Sequence, residues 1–146
     1  FNWEKYLTNF SKIPQASFLH APKYIYIPER DYTVNCDFKK SNEFNWIKYN
    51  KNSCAIPKKC DLRFSITFLD NQLKYMSKKI EWEVNNRGKE AERADNLNFI
   101  HKTGVNNDFE CPQQTAYKGH HYMKVRIIST DNRILSEDFF GIYVGD

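Results

Sequence analysis

Two short polar segments carry the residues in this sequence that are best suited to binding a ligand. In KIEWEVNNRGKEAE the alternating Ile80, Trp82 and Val84 predict a half-buried strand that ends in a turn. In TAYKGHHYMKVRII a polar turn comes first and an alternating strand follows. If the two strands are antiparallel neighbours, both turns lie at one rim of the sheet. That rim is expected to gather Asn86, Arg87, Lys89, Arg93, Tyr117, Lys118, His120 and His121.

The side chains of this predicted rim suit a nucleotide better than a protein partner. They offer amide groups for a base edge, cations for phosphates and an aromatic face for stacking. Each residue also has a structural interpretation. Trp82 on an alternating strand is typical of a core, Gly88 and Gly119 supply positive φ in turns, and Asn86 can bond the local backbone. Only the clustering favours a site.

Catalysis has little support in the sequence. His120 and His121 have no Ser or Cys nucleophile at a recognisable motif spacing, and there is no P-loop or Rossmann glycine pattern. Glu81 and Glu83 alternate on the polar face of a strand and are interpreted as solubilising charge. We therefore expect a protein that is not an enzyme and needs no cofactor.

The 4 cysteines are even in number, as in a secreted protein with two disulfides, but no secretion signal is visible. We interpret them as thiols. Cys36 falls in an alternating run and is expected to pack as a small apolar side chain. Cys54 and Cys60 lack the close pairing and the histidine spacing of a zinc site, so no metal is expected.

The net charge of +4 over 146 residues favours an anionic partner but is far from that of a duplex-binding module. No window approaches the run of about 18 apolar residues that spans a membrane. We expect a soluble, cytoplasmic domain without direct membrane contact. Because the sequence begins with Phe1 and not Met, we interpret it as part of a longer protein.

Period-two alternation dominates from Ala21 onward and predicts an all-β fold. An immunoglobulin-like antiparallel β-sandwich with a short N-terminal helix over Trp3 to Phe10 fits this pattern. Residues 1–20 are expected to lead in from an upstream domain and 21–146 to form the sandwich. Strands are predicted near 22–28, 31–38, 43–49, 61–69, 79–84, 121–129 and 138–144. The excursion 85–119 is expected to be irregular, apart from a turn or two of helix within Glu90 to Asn98.

The two polar segments together resemble the adenylyl/guanylyl cyclase and SMODS C-terminal sensor domain of bacterial antiphage nucleotide-signalling systems. The matching residues are Trp82, Val84, Asn86, Gly88, Glu90, Ala91, Thr115, Tyr117, Gly119, His121 and Tyr122. The resemblance covers about 62–144. It implies a domain that senses a nucleotide behind a nucleotidyltransferase that makes cyclic oligonucleotide messengers, or beside a related effector. The chain departs from the family pattern at Asn98 and Phe99, where an Arg-Gly step is common, and at Gln113 and Gln114, where an acidic residue is expected.

Three hypotheses remain open from the sequence. In the first, the domain binds a nucleotide: Tyr117 stacks a base, Asn86 and His121 hydrogen-bond it, and the cations Arg87, Lys89 and Lys118 hold phosphates. In the second, a structural sandwich docks on an upstream nucleotidyltransferase or effector without binding nucleotide. The third is an extracellular immunoglobulin domain, suggested by Cys36 and Trp46, although no Tyr-x-Cys pattern occurs at Tyr122.

Overall fold

The computed structural model describes residues 31–145, and these are mostly β-strand. In chain order the strands are β1 (Tyr32–Lys40), β2 (Ile47–Tyr49), β3 (Ala55–Ile56), β4 (Cys60–Phe68), β5 (Ser77–Asn85), β6 (Asn98–Gly104), β7 (Cys111–Gln114), β8 (Gly119–Ser129) and β9 (Ile134–Val144). The helices are α1 (Asn71–Met76) and α2 (Lys89–Arg93), with a 3-10 turn at Val105–Asn107. The predicted all-β class is confirmed.

The strands form two sheets. One has four strands in the order β2-β1-β4-β7, and the other has five in the order β3-β9-β8-β5-β6. Described neighbours pair antiparallel, as predicted, except that β3 pairs parallel with β9. β3 belongs to the connection between β2 and β4, which leaves the four-stranded sheet. There β3 adds to the edge of the five-stranded sheet, beside β9.

The core lies between the two sheets. Phe64 of β4 packs against Trp82 of β5 and Phe140 of β9, with ring centroids 6.2 and 5.9 Å apart. Trp82 is fully buried, which confirms its predicted core role. Since buried aromatic side chains dominate the burial of apolar surface, this cluster holds the sheets together.

The cysteines behave as the sequence predicts. All four are free thiols, and only Cys54 is exposed. Cys36 is fully buried in the core. Burial, and secondarily the neighbouring Asp37, raises the pKa of the Cys36 thiol to about 12. Cys36 therefore acts as a small apolar side chain, because the thiolate that reacts is not formed near neutral pH.

The short helix α1 connects the two sheets between β4 and β5. It begins where the Asp70 side chain accepts a hydrogen bond from the backbone N–H of Gln72 at 2.8 Å, which is a standard N-cap. It buries Leu73 in the core. No helix within residues 31–145 has the length and apolar character needed to cross a bilayer.

Some sequence predictions differ from the structure. The strand predicted near 43–49 is reduced to β2, and the excursion 85–119 is not irregular, because it contains β6 and β7. Those strands form by pairing along β5 and β4, so tertiary contacts decide their conformation where local alternation is weak. The predicted N-terminal helix and the strand near 22–28 lie outside the described residues.

Candidate functional site

The predicted rim exists. β5 and β8 are antiparallel neighbours with Asn85 opposite Tyr122, so the turn after β5 meets the turn before β8. Gly88 has φ 104° and Gly119 has φ 151°, which confirms the positive φ expected there. A Cβ on Gly88 would lie 2.9 Å from the Lys118 carbonyl oxygen, and one on Gly119 would overlap the carbonyl oxygen of Arg87. Glycine is required at both positions because the two backbones touch.

His121 ties these two turns together. Its Nδ1 accepts a hydrogen bond from the backbone N–H of Arg87 at 3.0 Å, and its Nε2 lies 2.6 Å from the Tyr117 carbonyl oxygen. A carbonyl oxygen only accepts, so the ring is the neutral tautomer with its proton on Nε2. Burial lowers the pKa of His121, against the opposing effect of the Tyr117 carbonyl. Both ring nitrogens are thus used within the protein.

A second set of hydrogen bonds fixes Tyr117. The Asn86 side chain donates to the carbonyl of Asn96 at 3.0 Å, and the Asn96 side chain donates to the Tyr117 hydroxyl at 3.1 Å. The loop after α2 is therefore attached to both turns of the rim. The backbone-bonding role that the sequence allows for Asn86 is present in the structure.

Two further motif residues anchor neighbouring loops. The Glu90 carboxylate accepts from the backbone N–H of Lys118 at 3.0 Å and pairs with the Lys58 ammonium at 2.6 Å. These contacts, the one with Lys58 first, lower the pKa of Glu90. The Thr115 hydroxyl accepts from the backbone N–H of Cys60 at 2.9 Å and donates to the Pro57 carbonyl at 2.7 Å. The rim is thus a joined assembly of three loops.

A cavity of about 610 Å³ lies between the two sheets at this rim. Its size is that of a small-molecule pocket. The apolar part of the lining includes residues on the inner faces of both sheets: Leu62, Phe64, Val84, Met123, Ile142 and Val144. The polar part includes Asn86, Asn96, Gln113, Thr115, Tyr117 and His121. The arrangement can enclose a flat group with polar edges.

The structure brings Asn86, Tyr117 and His121 of the predicted site to the cavity. The cations are placed differently: the described lining includes none of Arg87, Lys89, Arg93 and Lys118, and all four are exposed. The Arg87 guanidinium instead lies over the ring of Tyr122, with its carbon 4.6 Å from the centroid. Lys89 and Arg93 begin and end α2.

His120 lies on the opposite face of the sheet from His121. Its ring stacks on Tyr143 with centroids 4.1 Å apart, and its Nε2 is 2.7 Å from the Asn52 side-chain oxygen. Successive residues of a strand point to opposite faces, so the two histidines cannot share one pocket.

The same outer face holds a group of paired charges. Arg126 contacts Glu81 at 3.5 Å, Glu83 at 3.4 Å and Glu137 at 3.2 Å. Glu81 and Glu83 therefore belong to an ion-pair network and are not simply the solubilising charges that the sequence indicated. The physical reason is the register, which places Arg126 directly opposite Glu81 on the neighbouring strand.

Phe99 and Gln113 line the cavity but were not among the predicted site residues. Phe99 lies in β6, where the aromatic and β-branched residues of NFIHKTG are a weak strand signal. Gln113 lies in β7, whose four residues CPQQ carry no alternation that sequence reasoning could use. Among residues 31–145 no group of three His, Cys, Asp or Glu side chains is placed to hold a metal ion.

The fold and the rim define an all-β domain with a ligand-sized cavity between its two sheets. The model of the Adenylyl/Guanylyl and SMODS C-terminal sensor domain family matches residues 3–145. The chain belongs to this family, as the resemblance indicates. The family description names a sensor domain, in agreement with a role in recognition and not in catalysis.

A curated relative and a solved structure extend this comparison. The chain is 31% identical over 153 residues to the cytidylate cyclase of Staphylococcus aureus, in an alignment that covers 100% of this chain and 33% of that protein. It therefore spans about a third of the relative's length. The soluble domain of PmoD from a Methylocystis species has a similar fold, with a TM-score of 0.51 and 12% identity over 77% of this chain and 90% of that one.

Proposed function

We propose that this domain recognises a nucleotide, of the cyclic oligonucleotide class, in the cavity between its sheets, and that the bound ligand regulates an attached or partner domain. The observation that carries the proposal is the cavity of about 610 Å³ at the rim, lined by the motif residues Asn86, Tyr117 and His121. A ligand can regulate a neighbour only if it binds one conformational state more tightly than another. The loops joined at the rim are the elements that such a ligand contacts.

In this proposal Tyr117 stacks on a base and Asn86 hydrogen-bonds it. His121 acts by positioning Tyr117, since both of its ring nitrogens are already bonded. The exposed cations Arg87, Lys89, Arg93 and Lys118 hold the phosphates outside the cavity. His120 supports the outer face of the sheet beside Tyr143, and so contributes to the rim and not to the cavity.

The wider setting belongs to the same proposal. Residues 1–20 connect to an upstream nucleotidyltransferase or effector domain, and 21–146 form a non-catalytic sensor domain. The match to about a third of a protein named cytidylate cyclase supports an upstream domain that makes nucleotides. The setting that we propose is the bacterial cytoplasm, in a signalling system directed against phage.

We also propose that the two sheets form an immunoglobulin-like sandwich. In that fold strands A, B and E share one sheet and strands G, F and C share the other, to which variable-type domains add C′. Assigning these letters in chain order to β1, β4, β5, β6, β7, β8 and β9 gives the sheets β1-β4-β7 and β9-β8-β5-β6. These are the neighbours found here, with β2 and β3 as added edge strands.

One observation favours the alternative function, a structural module that docks on the upstream domain without nucleotide. Several motif residues hold the fold together. His121 joins two turns, and Gly88 and Gly119 allow their contact. Thr115 anchors a neighbouring loop. The family motif in that case maintains the fold and does not contact a ligand.

A thermal-shift screen of the chain against linear and cyclic mono-, di- and trinucleotides tests these two functions. A ligand at about 100 times its Kd adds about 2.7 kcal/mol of stability. Tyr117→Ala is expected to remove stacking worth about 1 to 3 kcal/mol. Tyr75→Ala, which truncates an exposed tyrosine of α1 away from the rim, is the matched control and should bind normally. A screen without any shift favours the docking module.

A further inference from the structure

The described lining of the cavity holds no Lys or Arg side chain. Its polar groups are amides and hydroxyls, together with His121, which is neutral because of its two hydrogen bonds. Its one carboxylate, Asp61, already pairs with Lys39 at 3.3 Å and accepts from Gln114 at 3.0 Å. The cations Lys39, Arg63 and Arg87 contact the lining residues Asp61, Trp46 and Tyr122 but are not themselves part of the lining. A phosphate enclosed in the cavity would therefore meet no cation among the lining residues, and burying an unpaired charge is strongly unfavourable. The lining therefore fits an uncharged group.

Of the aromatic rings that border the cavity, those of Tyr117 and Phe99 come from different elements. Tyr117 lies in the connection between β7 and β8, where its hydroxyl is held by Asn96 at 3.1 Å. Phe99 lies in the edge strand β6, where its ring meets His101 edge to face with centroids 5.3 Å apart. Both residues are half-buried, so each ring leaves surface open to the cavity. Flat aromatic ligands stack on such surfaces.

The side-chain amide of Gln113 offers a hydrogen-bond donor and an acceptor to the cavity. In β7 it lies opposite Leu62, on the inner face, and it lines the cavity. Its side-chain nitrogen donates to the Cys111 sulfur at 3.4 Å, and a thiol sulfur is a weak acceptor. The amide can therefore exchange this contact for a stronger one. A carboxamide presents a donor beside an acceptor, the pattern that pairs with the edge of a nucleobase.

We propose that the cavity takes the uncharged nucleobase of the ligand, with Tyr117 and Phe99 against the base and the Gln113 amide at its hydrogen-bonding edge, while the phosphates remain outside. This inference rests on the proposed nucleotide-binding function and specifies which part of the ligand the cavity encloses. Gln113 is then a specificity-determining residue and Phe99 a second stacking residue.

The test uses probes that separate base from phosphate. The four common ribonucleosides, their 5′-monophosphates, ribose 5-phosphate and inorganic phosphate are titrated into the chain by calorimetry. We expect one of the nucleosides to bind although it carries no phosphate group. Ribose 5-phosphate and inorganic phosphate should not bind. Binding of ribose 5-phosphate or phosphate, but of no nucleoside, overturns the base assignment and leaves nucleotide binding intact. Failure of every probe and of the nucleotide screen overturns the proposed function as well.

Variants of Gln113 then test its role. Gln113→Leu should weaken the preferred nucleoside about tenfold or more and flatten the preference among bases. Gln113→Glu keeps the size, removes the donor and should change which base is preferred. Gln72→Leu, on the exposed surface of α1, is the matched control and should leave affinity unchanged. Unchanged affinity and preference in both Gln113 variants, with unliganded Tm values near that of the parent, overturn the assignment of Gln113.

Discussion

The adjacent residues His120 and His121 lie on opposite faces of one sheet and have different roles. His121 faces the cavity, is buried and neutral, and joins two turns through its ring nitrogens. His120 faces outward and stacks on Tyr143. The two residues share a type and a neighbourhood in sequence, yet only the inner one touches the cavity. The face of the sheet, and not membership in a polar cluster, decides which residues can contact an enclosed ligand.

The same difference between the two faces extends along β8, which carries the histidines, and its neighbour β5. The inner face of β5 and β8 is apolar around Trp82, and the outer face carries Arg126 with its acidic partners. Charges remain on the outer face because they are partly hydrated there, while the inner face excludes water. Substitutions on the inner face should therefore cost far more stability than substitutions on the outer face.

The largest difference is expected between Trp82 and its outward neighbour Glu83. Trp82→Ala removes a fully buried aromatic ring and should lower the free energy of unfolding by about 3 to 5 kcal/mol. Glu83→Gln weakens one contact of a partly exposed network and should cost less than about 1 kcal/mol. Urea denaturation measures both. Similar losses in the two variants would contradict the assignment of the faces.

The two histidines give the next largest difference. His121→Leu leaves the Arg87 N–H and the Tyr117 carbonyl without their partner, at a cost of about 2 to 4 kcal/mol. His120→Leu loses a stacked ring at the surface and should cost about 1 kcal/mol. Chemical denaturation measures the free energy of unfolding of both variants. An equal loss in the two would show that His121 does not hold the turns together.

Acidification should weaken the contribution of the inner histidine, His121, with a smaller effect than its removal because the ring stays in place. Burial lowers the pKa of His121 in the folded state below the unfolded value of about 6.5. The unfolded chain thus binds more protons, so the contribution of His121 to stability is present above about pH 6.5 and declines as the pH falls through the folded pKa. Denaturation at several pH values should show this decline, and His121→Leu should remove that component. A decline that persists unchanged in the variant would assign it to other groups.

The thiols offer a comparison that changes no residue. Cys54 is exposed and should react at once with a thiol reagent in the folded protein. The thiols of Cys36, Cys60 and Cys111 are buried, and burial raises their pKa values, so they should react only after unfolding. Titration with and without denaturant measures this. Rapid reaction of more than one thiol in the folded state would show that the core opens without global unfolding.

The sequence predicted the rim because two independent signals converge there. Alternation fixed the strands around Trp82 and Val125, and the glycines at 88 and 119 marked the turns that follow and precede them. These features are local, so a single sequence displays them. Antiparallel pairing of β5 and β8 was the condition of that prediction, and the structure has it.

The cavity lining could not be predicted in full, because it depends on contacts between distant strands. Gln113 reaches the inner face only through pairing of β7 with β4, opposite Leu62, and β7 itself has no strand pattern. The position of the cations outside the cavity lining could not be predicted for a different reason. Nearness in the sequence does not tell to which side of a turn a side chain points. The Arg87 side chain points outward and lies over the ring of Tyr122.

The pairing of β9 has a mechanical consequence. Near its end, Tyr143 and Val144 pair with β8 on one side and with β3 on the other, and Ile142 and Val144 form part of the cavity wall. Tension along the chain at Val144 pulls β9 lengthwise against both neighbours, so several hydrogen bonds must break together. A pull at this end is therefore transmitted to the cavity wall before β9 separates from the sheet.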